Sequence, residues 1–239
     1  MNQKIIIFDA STLITLVMNG LTEELRSLKK IFNGKFIITN EVKHEIVDKP
    51  IKIDRFKLEA LRLKQLIDEG TLEMPPSIKE KDEEISKETN KILDMANNIF
   101  VGQIKGEKPQ KTIKIIDLGE ASCLALSKIL TQKGIKNILA IDERTTRMLG
   151  EKPENLQRLL ERKLRSRIDL KEKNFEFFKG FRFIRSAELV YVAHKKGLIK
   201  LKNHVVLDAL LYAVKFKGCA ISRDEIREMK RLNEVINKT

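Results

Sequence analysis

KIIIFDASTLITLVM, residues 4–18, opens with an apolar run and turns at an acid into a second apolar stretch with a different pattern. A strand that is apolar at every position is buried on both faces, as strands of a parallel sheet are. Residues 4–8 therefore read as a parallel strand, and Ser11 to Met18 as the start of a helix, with Asp9 at the junction. The same pattern returns further along: KFII (35–38) is a short strand, after which Thr39 or Asn40 caps a helix to about Ile46. NILAI (137–141) is a strand ending at Asp142, and Phe181 to Ile184 is a last one. Leu72 to Met74 reads as a further strand stopped by Pro75-Pro76. Between these lie helical spacings over 54–68 and 117–130, and at the C-terminal end over 190–197, 205–216 and 223–236. Alternation of this kind argues an α/β fold with a parallel sheet of four or five strands and helices on its faces.

Two stretches interrupt the pattern. Residues 77–112 are charged and mixed, with apolar clusters at Ile92 to Met95 and Ile99 to Val101. They read as one long amphipathic helix followed by a loop through Gly106 and Pro109. Residues 151–179 read as helical and strongly basic, with Arg158, Arg162, Lys163, Arg165 and Arg167 close together. Both are expected to be mostly helical insertions in a single domain over 1–239, with a helical C-terminal segment over 187–239.

The chain of 239 residues carries 47 Lys and Arg against 34 Asp and Glu, an excess of 13 positive charges that favours an anionic partner. Its two cysteines, Cys123 and Cys219, form no CxxC pair and no zinc framework. Cys123 sits in an apolar run and reads as core. The four apolar residues Ile5 to Phe8 are too few for a signal peptide or a membrane span. A cytoplasmic chain with no membrane partner is expected.

The acids lie where a parallel sheet places its chemistry, at the carboxyl ends of the strands. Asp9 follows the first strand and Asp142 follows NILAI. Glu120 stands in the first turn of the helix beginning near Asp117, and Glu45 stands on the helix after the second strand. Each has an ordinary structural explanation. Asp is a preferred helix N-cap, Asp117 with Glu120 has capping-box spacing, and Glu45 fits a solvated helix face. Four acid-bearing segments at one sheet edge, however, crowd negative charge, which costs stability unless it is compensated. A hard divalent cation, Mg²⁺ or Mn²⁺, compensates it and suits carboxylate oxygens. Other schemes lack their motifs. There is no GxxxxGK[ST], GxGxxG or HExxH, no GxSxG elbow, and no second Asp after Asp9-Ala10-Ser11.

FDASTLITL (8–16), TNEVKHEI (39–46), DLGEASCLALS (117–127) and AIDERTTRML (140–149) resemble, in order and in strand context, the four signature segments of PIN-domain ribonucleases. SAELVYVAHKKGLIKLK (186–202) resembles the tail of a PIN subfamily found in archaea and bacteria. The resemblance covers roughly 4–72 and 113–149, and more loosely 183–236. It implies a PIN-like, Rossmann-like sheet and a Mg²⁺- or Mn²⁺-dependent endoribonuclease. It also implies Asp9, Glu45, Glu120 and Asp142 as the catalytic acids, with Asp9, Glu120 and Asp142 as metal ligands. Asp117, Glu143 and Glu188 are acids that stand close by, and Ser11 matches a hydroxyl residue that supports the first Asp. Arg144, Arg147 and the 158–167 cluster are candidates for phosphate contact. RNA is the expected partner, with a homodimer, an antitoxin-like protein or a ribosomal protein as further partners. The alternatives are a non-catalytic RNA- or ribosome-binding PIN-like module and a protein-interaction subunit. The two long interruptions depart from a minimal domain of this family.

Overall fold

The computed structural model describes residues 4–103, 111–165, 167–170 and 176–236. Strand β1 (Lys4–Phe8) is central, pairing in parallel with β2 (Lys35–Ile37) on one side and β5 (Lys136–Ala140) on the other. β7 (Phe183–Ile184) extends the sheet beyond β5, also in parallel, so the order is β2-β1-β5-β7. Ile5, Ile6, Ile7 and Phe8 are all buried, as the unbroken apolar run requires. This is an α/β fold with a four-stranded parallel sheet flanked by helices. The Leu72–Met74 stretch makes a single bridge, Glu73 to Ile37, and no strand. Pro75 and Pro76 open a 3₁₀ turn there, and a proline offers no N–H to a ladder.

α1 (Ala10–Met18) leaves β1 at once, and α2 (Thr22–Phe32) returns the chain to β2. Thr39 caps α3 (Asn40–Lys43), which does not run on to Ile46 as an α-helix. Residues His44–Asp48 form a π turn instead, followed by two short 3₁₀ turns and α4 (Lys57–Asp68). α6 (Leu118–Gln132) precedes β5, and α7 (Arg144–Glu151) follows it. α9 (Ser186–Lys195), α10 (Val206–Phe216) and α11 (Arg223–Ile236) close the chain.

The two interruptions are less helical than their spacing suggests. The first contains α5 (Asp82–Asn97), which packs on α6, and then strands β3 (Phe100–Gln103) and β4 (Lys111–Thr112). The second contains α8 (Pro153–Leu164) and strand β6 (Arg167–Leu170). β6 and β4 pair with β3 in an antiparallel sheet of order β4-β3-β6. A helix through 151–179 is therefore corrected. α8 ends where Arg165 takes a left-handed backbone (φ 50°), which stops a helix, and the chain reverses into β6. The loop read through Gly106 and Pro109 lies outside the described residues.

One connected apolar core runs from Ile5 to Ile226 and takes in Ile85, Ile92 and Ile168 of the long stretches. Cys123 and Cys219 are both buried and unbridged. No described helix is long and apolar enough to cross a membrane. Phe36 sits in this core with its ring 5.0 Å from that of Phe8 and 5.4 Å from that of Phe32. Because Phe8 immediately precedes Asp9, this aromatic group anchors the carboxyl end of the sheet. Phe36→Ala is expected to cost about 3–5 kcal/mol, from lost burial plus the cavity left behind. Denaturant unfolding of parent and variant measures this.

Candidate functional site

The carboxyl ends of β1 and β5 lie side by side, with Phe8 opposite Ala140, and the Asp9 N–H donates to the Ala140 carbonyl at 3.0 Å. Asp9 then caps α1. Its Oδ2 accepts from the Ser11 N–H (3.0 Å) and from the Ser11 hydroxyl. The same hydroxyl oxygen accepts from the Asp142 N–H at 3.2 Å, so Ser11 bridges the two strand ends. It therefore supports the first acid, as the resemblance implied.

α6 brings the next acids. Asp117 and Glu120 form a reciprocal capping box: Glu120 N–H donates to Asp117 Oδ1 (2.9 Å) and Asp117 N–H to Glu120 Oε2 (3.0 Å). The Thr146 hydroxyl of α7 donates to Glu120 Oε1. Asp9 and Glu120 are both almost fully buried. Glu45 arrives from the π turn. A Cβ built on Gly119 would lie 2.7 Å from Glu45 Oε2 and 2.9 Å from Oε1, so its carboxylate rests against the bare backbone of α6. The Gly119 N–H favours its charged form. The Thr39 and Ser122 hydroxyls, 2.6 Å apart, tie this segment to the same helix.

Electrostatics identify these acids as one group. Burial pushes the Asp9 carboxyl up to about 6, with Asp117 adding repulsion against the hydrogen bonds from Ser11. Burial, then Asp117 and Asp9, push Glu45 up to about 7, with Lys49 opposing weakly. Burial, then Asp9 and Asp117, push Glu120 up to about 8. The buried Cys123 thiol, whose Sγ lies 3.6 Å from the Phe8 carbonyl, is raised by burial and by all four acids. Two effects therefore act in the same direction on each carboxyl, desolvation and like charge.

Asp142 stands at the same edge, but its carboxylate turns elsewhere. Oδ1 accepts from the Ser186 N–H and Oδ2 from the Ser186 hydroxyl, both at 2.7 Å, at the start of α9. The acids that act most on Asp9, Glu45 and Glu120 include Asp117 and not Asp142. The sequence placed Asp117 only as a neighbour, and its capping-box spacing was the signal that it stands with Glu120. Glu143 is exposed and caps α7, and Glu188 is taken up by Arg185, so neither joins the group. Of the basic cluster, Arg158, Arg162, Lys163 and Arg165 are exposed, and the side chain of Arg167 lies outside the described residues. Among the described residues, no three His, Cys, Asp or Glu side chains are arranged as they stand to hold a metal ion.

Gly119→Ala isolates the role of Glu45. Alanine favours helix over glycine by up to about 1 kcal/mol, so α6 itself is not weakened. The new methyl would overlap the Glu45 carboxylate and push it out of the group. The expected result is a folded protein in which the Glu45 carboxyl returns towards its ordinary value, measured by NMR titration of Glu45. A carboxyl that still titrates near 7 would show that Glu45 does not depend on this seat.

Comparison of the chain with family models, curated proteins and solved structures returns no match.

Proposed function

We propose that this chain is a metal-dependent ribonuclease of the PIN type, hydrolysing RNA phosphodiester bonds with carboxylates gathered at the carboxyl edge of its parallel sheet. The observation that carries the reading is the convergence of Asp9, Glu45, Asp117 and Glu120. They come from three distant segments, and burial together with the charges of Asp117 and Asp9 raises the proton affinity of the group's other carboxyls. A fold gains nothing in stability from gathering like charges out of water. The donor set is oxygen-only and acidic, which fits a hard Mg²⁺ or Mn²⁺ ion in chemistry and in charge. Side chains must still turn to make one shell. Glu120 is held by Thr146 and the Asp117 N–H, and Asp142 by Ser186.

Asp9, with Glu120 and Glu45, would hold the ion, and Asp117 would add charge. A bound divalent ion would supply an activated water and stabilise the leaving oxygen. The protein's own groups set the frame. Ser11 fixes the rotamer of Asp9, the capping box and Thr146 orient Glu120, and Gly119 leaves room for Glu45. Asp142 would enter the ion's shell only by releasing Ser186. In its observed position it fixes the start of α9 against the end of β5. The glutamate carboxyls, with affinities near pH 7 to 8, would be partly protonated in the free protein and would release protons when an ion binds.

A second reading, a non-catalytic RNA-binding module, is favoured by one feature. Asp142, Asp117 and Glu120 all have hydrogen-bond partners within the fold. Incubating the protein with structured and single-stranded RNAs in Mn²⁺, in Mg²⁺ and in EDTA separates the two. Cleavage confined to the metal-containing samples is the expected outcome. Binding without cleavage under every condition would favour the module.

A further inference from the structure

A cavity of about 600 Å³ opens between α7, the start of α9 and the turn joining α10 to α11. Arg144, Arg147, Lys152, Arg185 and Lys215 line it, with Glu151 and Glu225 as its acids. Its floor is Ala220, whose N–H donates to the Asp142 carbonyl at 3.1 Å, so cavity and sheet edge share a wall. The Ala220 carbonyl accepts from Arg147 Nη2 and from Arg185 Nη1, each at 3.1 Å. Two guanidinium groups thus converge on one neutral oxygen.

The two arginines differ in compensation. Arg185 is held by Glu188 and by Glu225, the latter at 2.7 Å. Arg147 is half-buried and, among the described residues, makes no salt bridge, and its buried Nε has no hydrogen-bond partner. Burial and the neighbouring Arg185 both weaken its hold on its proton, against opposing effects from Glu151, Glu188 and Cys219. A half-buried cation pressed against another is costly unless an anion joins it. Exposed Arg144 and Lys152 add charge at the rim. Phe216, also on the rim, is 75% exposed, and its ring stacks on Tyr212 at 6.1 Å and 24°. A fixed, solvent-facing aromatic ring is a surface on which a base can stack.

We propose that this cavity binds a nucleotide unit, its phosphate taken by Arg147 with Arg144 and Lys152 and its base stacked on Phe216. The volume suits such a ligand, and a guanidinium matches a phosphate with paired hydrogen bonds. The unit comes from a free nucleotide or from an RNA strand. In the second case the cavity fixes one phosphate of the strand near the carboxyl end of β5, for cleavage at the sheet edge. Only that last step rests on the ribonuclease reading.

Fluorescence anisotropy of a labelled single-stranded RNA, in EDTA so that no cleavage intervenes, tests the binding. Parent protein, Arg147→Gln, the double variant Arg144→Gln/Lys152→Gln and Phe216→Ser are compared, with thermal melts beside them. Each is expected to bind about tenfold more weakly, and the two cationic changes should also lower the salt dependence. The double variant and Phe216→Ser alter only exposed side chains, so they stay informative if Arg147→Gln fails to fold. Adenosine monophosphate and inorganic phosphate serve as competitors. Displacement by the nucleotide well below the phosphate concentration needed identifies a free nucleotide as a ligand. Weakened RNA binding in the variants without displacement by the nucleotide identifies the strand. Parent-like affinity in the double variant and in Phe216→Ser would overturn the proposal, as would phosphate competing as well as the nucleotide. Cleavage in Mn²⁺ is assayed separately, so a protein that binds through this cavity and never cleaves would remove the ribonuclease reading alone.

Discussion

Asp9→Asn should lower Mn²⁺-dependent RNA cleavage by at least about a hundredfold, the scale expected when the acid at the centre of a metal site is lost. The same change should leave the metal-free fold intact. The Asn side-chain oxygen can still accept from the Ser11 N–H and hydroxyl, so the α1 cap survives. It also removes a buried carboxyl that raises Glu120 and Glu45. The variant should therefore melt no lower than the parent in EDTA at pH 8, yet lose most of the stabilisation that Mn²⁺ confers on the parent. A purely structural Asp9 gives a different pattern: Asn would cap nearly as well, and activity, if any, would persist. Initial rates on one RNA, with melts in EDTA and in Mn²⁺, distinguish the two.

The second large effect is on stability against pH. Asp9, Glu45 and Glu120 hold their protons more tightly folded than unfolded. From pH about 4 to about 8 the native state therefore binds more protons than the unfolded chain, and stability falls as pH rises. Each tenfold gain in proton affinity on folding corresponds to about 1.4 kcal/mol. Glu120 alone moves from 4.5 to about 8. Even half of that effect, about 2 kcal/mol, lowers the melting temperature of a chain this size by about 5 °C. The ion-paired acids work in the opposite sense. Glu225, lowered to about 2 by a Ser222 N–H and by Arg185 against the effect of burial, stabilises above its unfolded value, and that contribution is lost as pH falls towards 2. The metal-free protein should be most stable near pH 5. Glu120→Gln should flatten the slope between pH about 6 and 8, at the cost of one of the two hydrogen bonds that the carboxylate accepts. Melts across this range in EDTA read the effect, and a parent whose stability rises from pH 6 to 8 would exclude the coupled acids as described.

Much of this arrangement was legible in the sequence, and the legible part was local. KIIIFDASTLITL states its own strand, cap and helix, because four apolar residues in a row and an Asp before a helical spacing are signals within one turn of chain. The DLGE box and the NILAID strand end are legible for the same reason. They put Asp9, Glu120 and Asp142 at one edge of the sheet. The remainder depends on distance through space. The direction of the Asp142 carboxylate is set by Ser186, 44 residues away. The seat of Glu45 depends on Gly119 having no side chain, and the Arg147–Arg185 pair meets only through the Ala220 carbonyl. Strands β3, β4 and β6 are two to four residues long, too short for alternation to register against the helical spacing around them.

The central claim is that the acids at the sheet edge form one divalent-cation site. It is tested most directly by calorimetric titration of Mn²⁺ into the metal-free protein at pH 7, repeated in buffers of different ionisation enthalpy. The account predicts saturable binding that releases between one and two protons, because Glu120 is largely protonated there and Glu45 about half so. The release should shrink by pH about 9, where both carboxyls are already ionised, and binding should collapse in Asp9→Asn. No saturable heat, or binding without proton release that Asp9→Asn leaves unchanged, would contradict it.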